Sequence, residues 1–471
     1  MKRAKDIALS VYQSVKSTKF LHMLVKSGVF ALMILLSFYV PFFVYVAIAY
    51  ICLLVVVEND AKSLMHLFFF YPFSFYLNAN ASLLLEGGIF VLAFIAIFHL
   101  IRYVVLVCMK KEKIFIWPFI FFGMFLIYIL LPFWRASDIY TFVLLILLVL
   151  HRKKLCLREI AILLSLGIII SSLWWLVGVI LPTSQLSFVK GHKPRFMALT
   201  FNPLLVSSMA MFAVFSLMYL FLKRKTGWEF YPLFIAVSLI SHVSGSRIFT
   251  LIYISAFVTF IVINSIKHRK KDFVKKGIVP ALVLTVCLCA IALIFFEQTK
   301  VLLLDPTPSI YAPGKDDPGR IGLWIIALKE WIQNINTILF GAGYMEKYNG
   351  ILHEHNAFLF FLRGSGLFGT LLIAGLFLSL YYYANGKKWK PKRFDFSYIY
   401  LGAVFLYAMV STVINEFSFT LAIPIATLLF MLGDKDEAEI VHVKSLPAPA
   451  HVDLLPAPPE KKIKEEKETI T

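Results

Sequence analysis

Three side chains of this sequence are of types that could bind and act on an anion: Arg247, Arg320 and His355. Arg247 opens an apolar segment, Arg320 opens an amphipathic run, and His355 stands just before another apolar segment. Each position predicts a helix N-terminus, where a cation opposes the helix dipole by roughly 0.3–1 kcal/mol. Because guanidinium groups and helix N-termini both favour phosphate oxygens, the pattern favours binding of a phosphate-containing anion.

His355 could act as a general base in a reaction of the bound anion. Asn356 is a good N-cap for the apolar segment that follows, which places His355 just before the positive end of a helix. That field favours the neutral imidazole, the form that a general base requires. His353 lies two residues earlier, and spacing alone does not decide which of the two histidines is the base.

Each of these residues also has a simpler interpretation. Arg247 could extend to the lipid headgroups, as long cationic side chains at membrane interfaces do. Arg320 could pair with Asp316 or Asp317, and His355 could be an ordinary loop histidine. The three nevertheless share one predicted face of the membrane, and that coincidence favours a common function.

Composition limits the fold class. Of the 471 residues, 60% are hydrophobic, which excludes a soluble globular protein and predicts a membrane protein. The net charge of +19 is interpreted as the cytoplasmic Lys/Arg excess of such a protein. Membrane lipids are therefore expected partners, and nucleic acid is not.

The apolar segments predict an all-α fold, a polytopic integral membrane helical bundle with about 12–14 transmembrane helices. The candidate spans, with rough bounds, lie at 27–40, 42–57, 63–79, 88–108, 114–132, 139–150, 160–181, 201–222, 229–243, 247–266, 278–296, 357–384, 396–414 and 418–433. The predicted organisation is a basic N-terminal segment (1–26), transmembrane helices (27–296), an external loop (297–356), C-terminal transmembrane helices (357–433) and a disordered tail (434–471).

Loop charge predicts the orientation. The Lys/Arg clusters all fall on one side of the membrane when the spans alternate, and that side is the cytoplasm. An even count then places both termini in the cytoplasm of a multi-pass protein of the cytoplasmic (inner) membrane. The clusters lie at 2–26, 110–113, 152–158, 223–225, 267–276 and 387–393.

The external loop is predicted to contain an amphipathic helix. Apolar residues from 321 to 335 recur at helical spacing and would form one face. Trp324 and Trp331 on that face are typical anchors of a helix lying in the headgroup layer. A Gly341-Ala342-Gly343 turn follows.

Other patterns are interpreted structurally. Gly364-Ser365-Gly366-Leu367-Phe368-Gly369 spells a dinucleotide-binding fingerprint, but it falls inside a predicted membrane helix, where small residues permit close helix packing. His66, His99 and His242 stand singly in apolar segments, and helix–helix hydrogen bonds explain them. No His, Cys and carboxylate cluster has metal-ligand spacing.

One stretch resembles a known family. His355-Asn356, followed nine residues later by Gly366-Leu367-Phe368-Gly369-Thr370, resembles the His-Asn-x9-Gly-x-x-Gly-Thr signature of the bacterial O-antigen ligase and O-antigen polymerase family. Ser246-Arg247 resembles its Ser/Thr-Arg motif, and Gly319-Arg320 with the 341–343 turn resembles its Gly-Arg helix and Gly-x-Gly turn. The resemblance covers roughly residues 201–430, and the first 200 residues match only in hydropathy.

The resemblance implies a membrane glycosyltransferase that needs no cofactor and no metal. Its donor would be a polyprenyl-diphosphate-linked glycan, and its acceptor a glycan or a lipid-anchored molecule. Arg247 and Arg320 would hold the diphosphate, His355 would deprotonate the acceptor hydroxyl, and the sugar would transfer with inversion. His353 and Asn356 are assigned to substrate binding.

Three functions remain open at this point. A ligase would move a preassembled glycan to an acceptor, and a repeat-unit polymerase would use the same donor chemistry on a growing polysaccharide. A flippase for the same lipid-linked glycan should line a central cavity with charges from several spans. The predicted intramembrane charges are few, which favours transfer over transport.

Overall fold

The computed structural model describes most of the chain from residue 18 to residue 410. The chain divides into a unit Met1–Gly433, which contains all described residues, and a unit Asp434–Thr471, which lies outside them. The described residues are 18–58, 61–83, 85–111, 113–130, 136–180, 196, 198–200, 203–223, 230–244, 247–267, 319–342, 356–385 and 396–410.

The described part is all-α, and no strand occurs in it. Its α-helices, in chain order, are α1 (Thr18–Leu36), α2 (Phe43–Glu58), α3 (His66–Phe70), α4 (Ser74–Asn80), α5 (Gly87–Cys108), α6 (Trp117–Leu130), α7 (Ala136–Leu150), α8 (Leu157–Ile180), α9 (Pro203–Leu222), α10 (Phe230–Val243), α11 (Arg247–Lys267), α12 (Gly319–Trp331), α13 (Ile335–Phe340), α14 (Ala357–Ala384) and α15 (Phe396–Val410). Short 3-10 helices lie at Ala61–Met65, Tyr71–Phe73, Arg152–Lys154 and Ala198–Thr200.

This architecture is that of an all-α membrane protein. Among the described residues, 4 helices are long and apolar enough to cross a membrane, and shorter apolar helices accompany them. In a bilayer the helix suits such segments because it satisfies every backbone polar group internally. The four are Gly87–Cys108, Leu157–Gly178, Leu205–Leu222 and Ala357–Ala384. The predicted spans 278–296 and 418–433 lie outside the described residues.

The Phe-rich segment predicted as a span at 63–79 is built differently. Residues 61–80 form a succession of 3-10 and α-helical pieces instead of one continuous helix. Phe68, Phe69, Phe70, Tyr71 and Phe73 are all buried, so the central part of this segment is enclosed by protein. A helix that is apolar on all sides is typically buried in the protein interior, and α3 in this segment packs against α8.

The buried side chains of His66 and His99 are paired, as predicted. Nε2 of His66 lies 3.1 Å from Oε2 of Glu58, whose other oxygen lies 2.8 Å from Nζ of Lys26. Nε2 of His99 lies 2.9 Å from Oγ of Ser63. Helix–helix hydrogen bonds therefore explain both histidines.

The C-terminal end of α14 meets the loop between α7 and α8. Nη2 of Arg152 donates to the carbonyl oxygen of Tyr383 at 3.0 Å. The Tyr383 ring also packs against Phe115, with ring centroids 4.8 Å apart. Burial lowers the pKa of the Arg152 guanidinium from its ordinary value. One end of the bundle therefore brings together Phe115, Arg152 and Tyr383, which lie in or near three predicted cytoplasmic clusters in the sequence.

Candidate functional site

Arg247 is the first residue of α11, as the sequence predicts. Helix α11 packs against α9, α10 and α15. Tyr253 lies inside this packing, and its hydroxyl donates to Oγ of Ser238 on α10 at 3.0 Å. The helix that begins at Arg247 is thus held by its neighbours.

Arg320 is the second residue of α12, which begins at Gly319. The side of α12 that packs on α14 carries Leu323 and Ala327, both buried. The second predicted arginine therefore stands on an element that contacts the helix following His355.

The predicted amphipathic face of this segment is present, but it does not face the bundle. Its apolar residues are among the more exposed in this region, and a narrower stripe through Leu323 and Ala327 makes the contact with α14. An exposed apolar face of this kind suits a membrane environment. The exposed residues are Ile325, Leu328, Ile332 and Ile335.

The segment is also two helices instead of one. Helix α12 ends at Trp331, and Asn334 starts α13 by accepting a hydrogen bond from the backbone N–H of Thr337 at 2.9 Å. The Thr337 hydroxyl accepts one from the backbone N–H of Asn334 in return, at 3.1 Å. The Trp331 indole donates to the carbonyl oxygen of Ile338 at 3.2 Å, which holds the two helices together.

Helix α13 ends against a kink in α14. Gly341 has φ 87° and ψ 163°, and Gly366 within α14 has φ 64° and ψ −167°, a region open essentially to glycine alone. A Cβ at Gly366 would lie 2.5 Å from the backbone nitrogen of Gly341, and one at Gly341 would collide with the carbonyl oxygen of Gly364. The glycines of the fingerprint-like sequence therefore serve a close backbone contact.

Asn356 caps α14, as predicted. Its side-chain oxygen accepts hydrogen bonds from the backbone N–H groups of Phe358 and Leu359, at 3.0 and 3.2 Å. The residue is buried, and its cap fixes the point at which the chain enters the helix. His353 and His355 lie outside the described residues, although His355 is the immediate sequence neighbour of Asn356.

One charged pair beside these elements was missed by the sequence analysis. Nη1 of Arg363 on α14 lies 2.8 Å from Oε2 of Glu330 on α12. The side chain of Arg363 is 8% exposed and that of Glu330 is 21% exposed. An arginine inside a predicted span is the signal that could have indicated a partner.

The structure brings the predicted site residues together in part. Helix α12, which contains Arg320, packs directly on α14, which Asn356 caps. Helix α15 packs against both α14 and α11, the helix that begins at Arg247. No group of three or more His, Cys, Asp or Glu able to hold a metal occurs in the part of the chain that the structure describes.

No family model, curated protein or solved structure matches this chain.

Proposed function

We propose that this protein is a membrane glycosyltransferase of the O-antigen ligase type, which moves a glycan from a polyprenyl diphosphate to an acceptor hydroxyl. One observation supports this function above the others. The helix that contains Arg320 packs directly on the helix that Asn356 caps, and His355 immediately precedes Asn356. A cation for the diphosphate and a candidate base for the acceptor therefore belong to two elements in contact.

The proposed reaction divides the work between these residues. His355, neutral before the reaction, removes the proton of the acceptor hydroxyl as its oxygen attacks the anomeric carbon. The bond from that carbon to the diphosphate breaks, the configuration inverts, and polyprenyl diphosphate leaves. Arg320 and Arg247 stabilise the charge that develops on the leaving group.

The proposal places this chemistry on the outer face of the cytoplasmic membrane, with both termini in the cytoplasm. The C-terminal end of α14 lies beside Arg152, which belongs to a predicted cytoplasmic cluster. Beyond its kink at Gly366, α14 continues to Ala384 for about 27 Å, close to the roughly 30 Å of a hydrocarbon core. The N-terminal end, where Asn356 and His355 stand, then belongs to the opposite face.

The test is a transfer assay with purified protein in vesicles that contain a lipid-linked glycan. The proposal expects glycan on the acceptor, release of polyprenyl diphosphate and full activity in EDTA. Activity that is lost in EDTA and restored by a divalent cation would contradict the metal-independent reaction. Movement of the donor across the vesicle without cleavage would identify a flippase.

The acceptor distinguishes the ligase from the polymerase. A ligase transfers the glycan to a lipid-anchored core acceptor, and a repeat-unit polymerase transfers it to another lipid-linked glycan. Offering each acceptor alone to the same preparation therefore decides between the two. The proposed ligase should label the lipid-anchored core and leave the lipid-linked glycan at its starting length.

A further inference from the structure

The buried pair of Arg363 and Glu330 is a costly feature that calls for a function. Arg363 lies inside an apolar helix and is almost completely removed from solvent. Burying an unpaired charge at such a position raises the free energy of the folded protein, and an apolar side chain there would not. The 2.8 Å contact with Glu330 supplies the pairing.

The pair joins the two elements of the candidate site. Glu330 stands in the last turn of α12, whose second residue is Arg320. Arg363 stands seven residues after Asn356, which is about 10 Å along α14 and on the same face of that helix. The contact therefore fixes both the rotation of α12 and its position along α14.

The backbone of Arg363 makes a second attachment to the same unit. Its carbonyl oxygen accepts a hydrogen bond from the backbone N–H of Ala342 at 2.6 Å, just beyond α13. The side chain of Arg363 thus holds the end of α12, and its backbone holds the end of α13. The stacked rings of Phe340 and Phe368, with centroids 5.5 Å apart, close the same junction.

We propose that Arg363 and Glu330 are positioning residues that set how α12, which contains Arg320, sits on the part of α14 that Asn356 caps. This inference rests on the proposed transferase function, because the placement matters for catalysis only if Arg320 and the histidine that precedes Asn356 in sequence act on one substrate. The charge of Arg363 is already paired with Glu330 through Nη1, which favours a positioning role over a role in binding the diphosphate. A misplacement of about 1 Å between reacting groups can lower a rate about 10²-fold.

The test compares Glu330→Gln, Arg363→Gln and the exchanged pair Glu330→Arg/Arg363→Glu in the transfer assay. Each single variant should lower kcat by about 10²-fold with donor affinity changed far less, because the donor-binding arginines remain. The exchanged pair should recover at least ten-fold, since it restores a salt bridge between the same positions. Glu58→Gln is the matched control: it breaks the pair of Glu58 with Lys26, 2.8 Å apart, and should leave kcat unchanged.

A distance measurement gives a readout that does not depend on catalysis. Spin labels at Leu328 on α12 and Leu371 on α14, both exposed, report how the two helices sit on each other. The measurement uses a cysteine-free background, because the chain has 5 native cysteines. The single variants should broaden or shift the distance distribution, and the exchanged pair should restore it.

The outcomes separate this inference from the proposed function. If the wild type transfers glycan and the Gln variants keep both its kcat and its label distances, the positioning role is refuted while the transferase stands. Loss of donor binding in Arg363→Gln with unchanged label distances would make Arg363 a donor ligand and also refute it. A wild type that transfers nothing refutes the proposed function, and the catalytic meaning of the pair with it.

Discussion

At the scale of single residues, Asn356 has one established contact and one proposed role. Its side-chain oxygen caps α14, and its amide N–H₂ is the group that could contact a substrate. Asn356→Ala should cost about 0.5–2 kcal/mol of stability through loss of the cap. Asn356→Asp retains an oxygen acceptor at the cap but loses the amide donor.

The pair of variants separates the two roles in one set of measurements. If the cap is the whole function, Asn356→Asp should match the wild type in both melting temperature and transfer rate. If the amide binds substrate, Asn356→Asp should keep the melting temperature and lose rate. A normal melting temperature for Asn356→Ala would contradict the cap seen in the structure.

The residues that could be predicted are those whose signal is local. Asn356 was identified as a cap because a capping residue and its helix are adjacent in sequence. Glu330 and Arg363 are 33 residues apart, and nothing in a sequence of charges indicates which carboxylate will meet a given arginine. Arg363 also lies inside a predicted span, and the mean hydropathy of such a segment conceals a single charged residue.

At the scale of elements, the junction of α13 with the kink in α14 depends on glycine. Gly366→Ala would place a side chain in a backbone region that costs on the order of 1–3 kcal/mol for other residues. It would also bring the new Cβ to 2.5 Å from Gly341. Thermal unfolding in detergent should therefore show a clear fall in melting temperature.

Gly402→Ala is the matched control for this substitution. A Cβ at Gly402 on α15 meets nothing within 4 Å, and alanine favours a helix by up to about 1 kcal/mol over glycine. Its melting temperature should stay the same or rise. Equal melting temperatures for the Gly366 and Gly402 variants would contradict the kinked junction.

The glycine spacing of the 364–369 sequence illustrates how an element changes the meaning of a motif. The same residue pattern, if it lay between a strand and a helix, would indicate a dinucleotide-binding site. Here they lie within α14 and allow the backbone of α13 to approach. Helical spacing likewise predicted a single amphipathic helix from 320 to 335, whereas the reciprocal cap of Asn334 and Thr337 divides it.

At the scale of the whole molecule, the predicted orientation can be tested by reporter fusions. Arg152 lies against the end of α14, which brings predicted cytoplasmic segments to one end of the bundle. The proposal therefore expects cytoplasmic reporters after Lys225, Lys270, Gly386 and Asp434, and external reporters near Gln185 and Tyr311. An external reporter at Gly386 would place the N-terminus of α14 in the cytoplasm and contradict an outer-face site.

Hydropathy predicted where the described helices lie because a membrane requires continuous apolar segments with internal backbone hydrogen bonds. It could not predict which apolar helices face lipid and which face protein. The aromatic and apolar residues of 63–79 predicted a span, yet residues 61–80 are broken into short helical pieces and their central part is buried. That distinction depends on the packing of helices distant in sequence, such as α3 against α8.

The most direct test of the central claim compares the transfer rate and donor affinity of His355→Ala with those of Arg320→Ala. His355→Ala should bind the lipid diphosphate as the wild type does and lose about 10²–10⁴-fold in rate, the usual contribution of a general base. Arg320→Ala should instead lose donor binding, because a charge-assisted contact to the diphosphate is removed. Transfer by His355→Ala at the wild-type rate would contradict the account.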